Sequence, residues 1–97
     1  MILQFIKLKS DLPEVELLSR ARERQGMFQA IDGLLQKYYV KIGPGEYGGL
    51  YIWDSIQSLQ AFKESDLAKS IPGAYEVKEA PQVEIMEILF KLRDQVG

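Results

Sequence analysis

The chain has 97 residues, 46% apolar, 27% charged and 10% aromatic, with eight Gly and four Pro, and reads as one globular domain over 1–97 rather than a disordered or low-complexity chain. Twelve Lys and Arg against fourteen Asp and Glu leave a net charge of -2, without the dense positive field that a nucleic-acid partner requires. The absence of Cys and His removes Ser-His-Asp and Cys-His nucleophiles, the usual zinc sites, disulfides and His or Cys haem ligation, and the absence of Asn and Thr leaves a polar set better suited to binding than to nucleophilic attack.

Residues 2–9 are rich in β-branched and aromatic types and too short before Pro13 to be helical, so they form a first strand. Asp11 as N-cap, Pro13 in the first turn and Glu14 predict a helix from about Leu12 to Gln25, punctuated by Gly26. Leu17, Leu18, Ala21 and Phe28 make its apolar stripe, while Arg20, Arg22, Glu23 and Arg24 read as its solvated side. Gly33 to Ile42 is a second strand, Gly43 to Gly49 a loop, and Leu50 to Trp53 the returning strand of a hairpin. Asp54 or Ser55 caps a second helix carrying Ile56, Leu59 and Phe62, which ends between Ser65 and Ser70. A short extended piece at Tyr75 to Val77 precedes a last strand from Val83 to Leu92. No apolar run is long enough for a membrane span and the N-terminus lacks a signal-peptide pattern, so the expected location is cytoplasmic, with no membrane partner.

The order β-α-β-β-α-β in so short a chain predicts an α+β, ferredoxin-like fold, an antiparallel sheet with both helices on one face. The strands carry large apolar residues on both sides: Leu34, Tyr38, Val40 and Ile42 against Leu35 and Tyr39, and Val83, Ile85 and Leu89 against Met86, Ile88, Phe90 and Leu92. A one-sided antiparallel sheet alternates apolar with polar, so the second face calls for a cover. A second copy burying ~700 Å² per subunit returns roughly 35 kcal/mol gross, above association costs of about 10 kcal/mol, and a homodimer through the sheet face is expected.

The run Gly33-Leu-Leu-Gln-Lys-Tyr-Tyr39, the segment Gly48-Gly-Leu-Tyr-Ile-Trp-Asp-Ser55 and the helix piece Leu59-Gln-Ala-Phe62 resemble the YdhR-type monooxygenase-like family of the dimeric α+β barrel superfamily. The resemblance covers roughly residues 1–92 and implies two ferredoxin-like subunits with their sheets pressed together, each keeping a ligand cavity between its helices and its own sheet. Relatives in the antibiotic-biosynthesis-monooxygenase group use an Asn, a Trp at the end of the third strand and a His in the second helix. Trp53 matches that Trp, Phe62 stands near the position of the helix His, and Lys37 matches the lysine of a Gly-Leu-x-x-Lys run. With no Asn or His, the resemblance points away from the haem branches and toward a pocket without cofactor or metal that takes a small aromatic or polyketide-like ligand.

Each candidate residue has a plain reading beside the functional one. Trp53 fills a core or lines a pocket; Tyr51 shares its side of the strand, and Tyr39 joins them if the hairpin register allows. Phe5, Phe28 and Phe62 fill the helix-to-sheet layer or stack on a planar ligand. Lys37 snorkels at a strand edge or anchors an anion. The pairs Glu84 with Glu87 and Glu76 with Glu79 have no partner that would tune them and are assigned no chemistry, and Gly43-Pro44-Gly45 is no phosphate loop because no helix start follows it. Three readings stay open: a cofactor-independent monooxygenase, a non-catalytic ligand-binding or stress-response protein, and a structural dimer. A cavity of ~300 Å³ or more beside Trp53 would separate the first two from the third.

Overall fold

In the computed structural model, which describes residues 1–94, β1 (Ile2–Lys9) leads into α1 (Glu14–Gln29), and β2 (Leu34–Gly43) and β3 (Glu46–Trp53) form a hairpin. Then come α2 (Ile56–Lys63), two single-turn helices α3 (Asp66–Lys69) and α4 (Ile71–Ala74), and β4 (Gln82–Glu87). The sheet is antiparallel throughout in the order β2-β3-β1-β4, the ferredoxin-like arrangement that the pattern predicts. Ile2, Gln4, Ile6 and Leu8 share the helix-covered face with Tyr47, Tyr51 and Trp53, where Leu17, Ala21 and Phe28 of α1 and Leu59 and Phe62 of α2 close the core. No helix among the described residues is long and apolar enough to cross a membrane.

Several boundaries move for identifiable reasons. Helix α1 begins at Glu14 with Pro13 in the cap position, and Asp11 instead meets Lys78 at 3.2 Å. The helix runs past Gly26 to Gln29, because stopping there would leave Phe28 outside the core. An exposed helical Gly costs about 1 kcal/mol, less than the roughly 2–3 kcal/mol that burying a Phe returns. The hairpin is tighter than expected: Pro44 and Gly45 alone make the turn, Gly45 at φ 72°, and β3 already starts at Glu46. Ser55, not Asp54, is the N-cap of α2; its Oγ accepts from Ser58 N at 3.2 Å, while Asp54 takes the Ser58 hydroxyl at 2.6 Å. The Ser58 hydroxyl, with the Ser55 hydroxyl donating to the same oxygen at 3.0 Å, holds the Asp54 carboxyl below the usual range.

A register shift between Leu34 and Gln36 makes Leu35 an extra residue in β2. It puts Leu34 on the helix side with Lys37 and Tyr39, whereas simple alternation groups Leu34 with Tyr38 and Val40. Phe5 lies on the open face, beside Leu3, opposite Leu50 and against Gly48, not in the helix-to-sheet layer. Of the stretch Tyr75 to Val77 only Val77 bridges, to Ser10. Strand β4 ends at Glu87, opposite Ile2, and the Ile88 amide donates to the Met1 carbonyl. Leu89, Phe90 and Leu92 are therefore left 86%, 83% and 84% exposed.

Candidate functional site

The helix-to-sheet layer is hollow at one end. A cavity of about 170 Å³ lies between α1 and the middle of β2, β3 and β1, bounded by Ile6, Leu17, Ala21, Tyr47 and Tyr51, with Ile71 of α4 and Tyr75 behind it. Gly49 makes this room: a Cβ there would sit 2.8 Å from the Tyr51 ring and 3.2 Å from Lys37 Cε. Glu14 is the one carboxylate on the wall, and it is tied to Lys41 at 2.8 Å.

Lys37 enters this space from the edge strand β2. Tyr39 opposite Gly49 and Lys37 opposite Tyr51 both face the helices, and the Lys37 ammonium lies 3.4 Å from the centroid of Phe28, 4.3 Å from Tyr39 and 4.7 Å from Tyr51. It does not snorkel. No carboxylate stands within ion-pair distance of it among the described residues. Burial in this cage, with the Arg24 guanidinium adding repulsion, pulls its amine down to about 7, so near neutral pH it is both an available base and an available cation. Lys37 and Tyr39 also border a groove of about 270 Å³ running along Phe28 and Leu34 to the surface.

Arg24 is turned inward rather than solvated. Its Nη2 donates to Ser70 Oγ at 2.8 Å, its guanidinium lies 5.8 Å from the Tyr75 ring centroid, and its Nε is buried without a partner. Burial pushes the hydroxyls of Tyr39, Tyr51 and Tyr75 above the ordinary phenol range, which keeps them protonated as hydrogen-bond donors. Arg20 sets Tyr75 in place by binding the Ala74 carbonyl at 3.1 Å and Glu76 at 3.0 Å, and buried Ser10 Oγ donates to the Tyr75 carbonyl at 2.7 Å. The cavity thus offers four tyrosines on a largely apolar wall and Lys37 without a carboxylate partner among the described residues, with the Arg24 guanidinium close enough to repel it.

Of the residues singled out from sequence, Lys37, Tyr39 and Tyr51 come together on the cavity wall. Trp53 and Phe62 do not line it: Trp53 is 0% exposed, its Nε1 donates to Gln4 Oε1 at 3.0 Å, and its ring is parallel to Tyr51 at 6.1 Å between centroids. Phe62 packs on Trp53 at 5.3 Å and on Tyr51 at 5.5 Å. Phe28, read as core or as a surface for a planar ligand, packs against Lys37, whereas Tyr75 on the wall and Arg24 near Lys37 were not read as parts of a site. A signal for Arg24 exists, since residues 17, 21, 24 and 28 recur at spacings of 4, 3 and 4, placing a charge on the buried stripe. The acidic residues given no chemistry are mostly surface ion-pair partners: Glu84 of Lys7, Glu79 of Lys9 and Glu76 of Arg20. Among the described residues no acidic cluster could hold a metal ion.

No known family matches the chain, and no curated protein does. Solved structures do. The chain is similar to NE2512, a Nitrosomonas europaea protein of unknown function, at 19% identity over 99% of this chain and 95% of that one, with a TM-score of 0.79. A Bordetella bronchiseptica protein provisionally assigned as an antibiotic biosynthesis monooxygenase is 16% identical over 92% and 97% of the two chains, at 0.73. The monooxygenase from the Streptomyces coelicolor gene ActVA-Orf6, solved with nanaomycin D, is 13% identical over 97% and 92%, at 0.71. At these identities the likeness establishes a shared ferredoxin-like fold.

Proposed function

We propose that this protein is a homodimeric, cofactor-independent monooxygenase-like protein of the dimeric α+β barrel superfamily, of YdhR type, acting on a small aromatic compound in the cavity beside Lys37. The observation that carries it is a cavity lined by four tyrosines with Lys37, which has no carboxylate partner among the described residues, on its wall. An oxygenase without cofactor draws its electrons from the ligand, and favouring the ligand's anion lowers the cost of giving them up. A phenol and dioxygen then give a quinone and water, one oxygen atom entering the ring and the other leaving with two ligand hydrogens. At about 170 Å³ and without Trp53 on its wall, the cavity falls short of the ~300 Å³ beside Trp53 expected of a ligand site, which keeps the structural dimer as a competing reading; apolar cavities of about 150 Å³ hold benzene, so a single ring is the fitting size.

A non-catalytic ligand-binding dimer is the second reading. What favours it is the position of Trp53, sealed in the core behind Tyr51. Titration with single-ring phenols and hydroquinones separates the readings: ligands in the cavity quench Trp53, stacked behind Tyr51, with saturable micromolar affinity. Oxygen consumption that falls in Lys37→Met or Tyr39→Phe marks an enzyme; binding without oxygen uptake marks the binding protein; an unresponsive emission across the panel removes both. The purified protein is expected to be colourless and free of stoichiometric metal.

The dimer rests on the uncovered apolar surface. Leu3, Phe5, Leu50 and Met86 lie on the face without helices, and the segment 88–92 has no strand to join. Met86→Lys, which would bury an unpaired ammonium in that interface, should convert a dimer to monomers in sedimentation equilibrium. A wild-type protein already monomeric at micromolar concentration refutes the assembly.

A further inference from the structure

The groups that face Lys37 define what could sit against it. From α1 come Phe28, the Arg24 guanidinium and, farther along the wall, Glu14; from β2 come Tyr39 and the Lys41 that neutralises Glu14; from β3 come Tyr47 and Tyr51; Tyr75 faces it from behind α4. An ammonium caged by three rings gains cation-π attraction but no counter-charge, and the nearby arginine makes the missing charge negative. The rest of the wall is apolar, with Ile6, Leu17, Ala21, Val40 and Ile71 among it. A fitting occupant is one ring wide and bears, at its Lys37 end, a group that becomes an anion only there.

We infer that the cavity takes a single-ring phenol by its hydroxyl end, the hydroxyl proton passing to Lys37 Nζ, so that the ligand is held as a phenolate against an ammonium caged by Phe28, Tyr39 and Tyr51. The inference deepens the pocket reading and rests on it. In the transfer the ligand O–H bond breaks, its electron pair stays on oxygen, and an N–H bond forms on Lys37; net charge is conserved and no co-reactant is consumed. The protonated hydroxyls of Tyr39, Tyr51 and Tyr75 are donors available to the new oxyanion. Lys37 suits this role because its amine, at about 7, is close in acidity to an activated phenol, so the proton moves with little cost. A carboxylate would bind the ammonium form alone and would need no proton from the ligand side.

The probe is 4-nitrophenol, whose anion is yellow. Bound to the wild-type protein below the phenol's own pKa, it should show the phenolate band, and its affinity should follow a bell with pH, rising as the phenol ionises and falling as Lys37 loses its proton. Lys37→Met should weaken binding by about tenfold or more and abolish the induced band. Lys37→Arg, always charged, should keep the band and replace the bell by a plateau at high pH. Saturable binding without the band, or a band of equal strength in Lys37→Met, overturns the inference and leaves the pocket reading standing. Benzoate binding in place of nitrophenol, weakening steadily as pH rises, overturns it in favour of a carboxylate ligand. If neither compound nor any phenol of the panel binds, the pocket reading falls with it.

Discussion

The two ends of the helix-to-sheet layer are built on the same strands and come out differently. At the Trp53 end the only polar atom of the indole has its acceptor in Gln4, itself 2% exposed, and Leu59 and Phe62 complete the packing. At the Lys37 end Gly49 supplies no side chain, Arg24 Nε has no acceptor and Lys37 has rings around it but no counter-ion among the described residues. The end whose buried indole N–H is matched is filled, and the end with an unmatched Arg24 Nε lies beside a cavity. The contrast teaches where a ligand is worth seeking: Trp53 is packed scaffold, and the incompletely satisfied cations stand at the hollow end.

The sharpest way to break this contrast is at its closed end. Trp53→Ala should destabilise the chain by about 3–5 kcal/mol, read as a lower urea midpoint, since the indole leaves a large void in a core that cannot collapse onto it. A loss below about 1 kcal/mol would mean that this end is not the packed scaffold described. Next in size, Gln4→Met keeps the volume and orphans the indole N–H, costing about 1–3 kcal/mol. In Trp53→Phe, which removes the donor, the same Gln4→Met change should cost much less, and a coupling near zero would show that the hydrogen bond contributes nothing.

The fold was largely legible because its signals are local. Alternation marks β1 and β3, the Ser55 to Ser58 spacing carries the cap of α2, and apolar stripes mark the two main helices. The misread points depend on partners far along the chain. The extra residue at Leu35 exists only in the pairing of β2 with β3, and the end of β4 lies where its pairing with β1 stops at Ile2 and Glu87. The site was half legible. Lys37 stood out as a charge in an apolar strand, and Tyr39 and Tyr51 follow from hairpin register. Tyr75 belongs to no periodic element and reaches the cavity because Arg20 and Ser10 hold its backbone, contacts separated by more than fifty residues. Arg24 was written in the helical stripe but masked by its charged neighbours.

The smallest effect comes from the open end and has the opposite sign. Lys37 titrates at about 7 in the folded chain and near 10.5 when exposed, so between those values the unfolded chain binds more protons and wild-type stability should rise with pH. Below about 7 both states carry the charge and its burial weakens the fold in full. Lys37→Met removes the charge and keeps the reach of the side chain. It should therefore stabilise the protein by about 1–3 kcal/mol at acidic to neutral pH, the three ring faces having already returned part of the desolvation cost. The advantage should shrink as pH climbs toward 10.5, because the wild-type amine is by then neutral in the fold and loses its proton in the unfolded chain as well. Urea midpoints of the two proteins across that window decide it. Parallel curves would mean that Lys37 is solvated after all, and curves that converge with rising pH would show that the protein keeps a destabilising amine on the cavity wall.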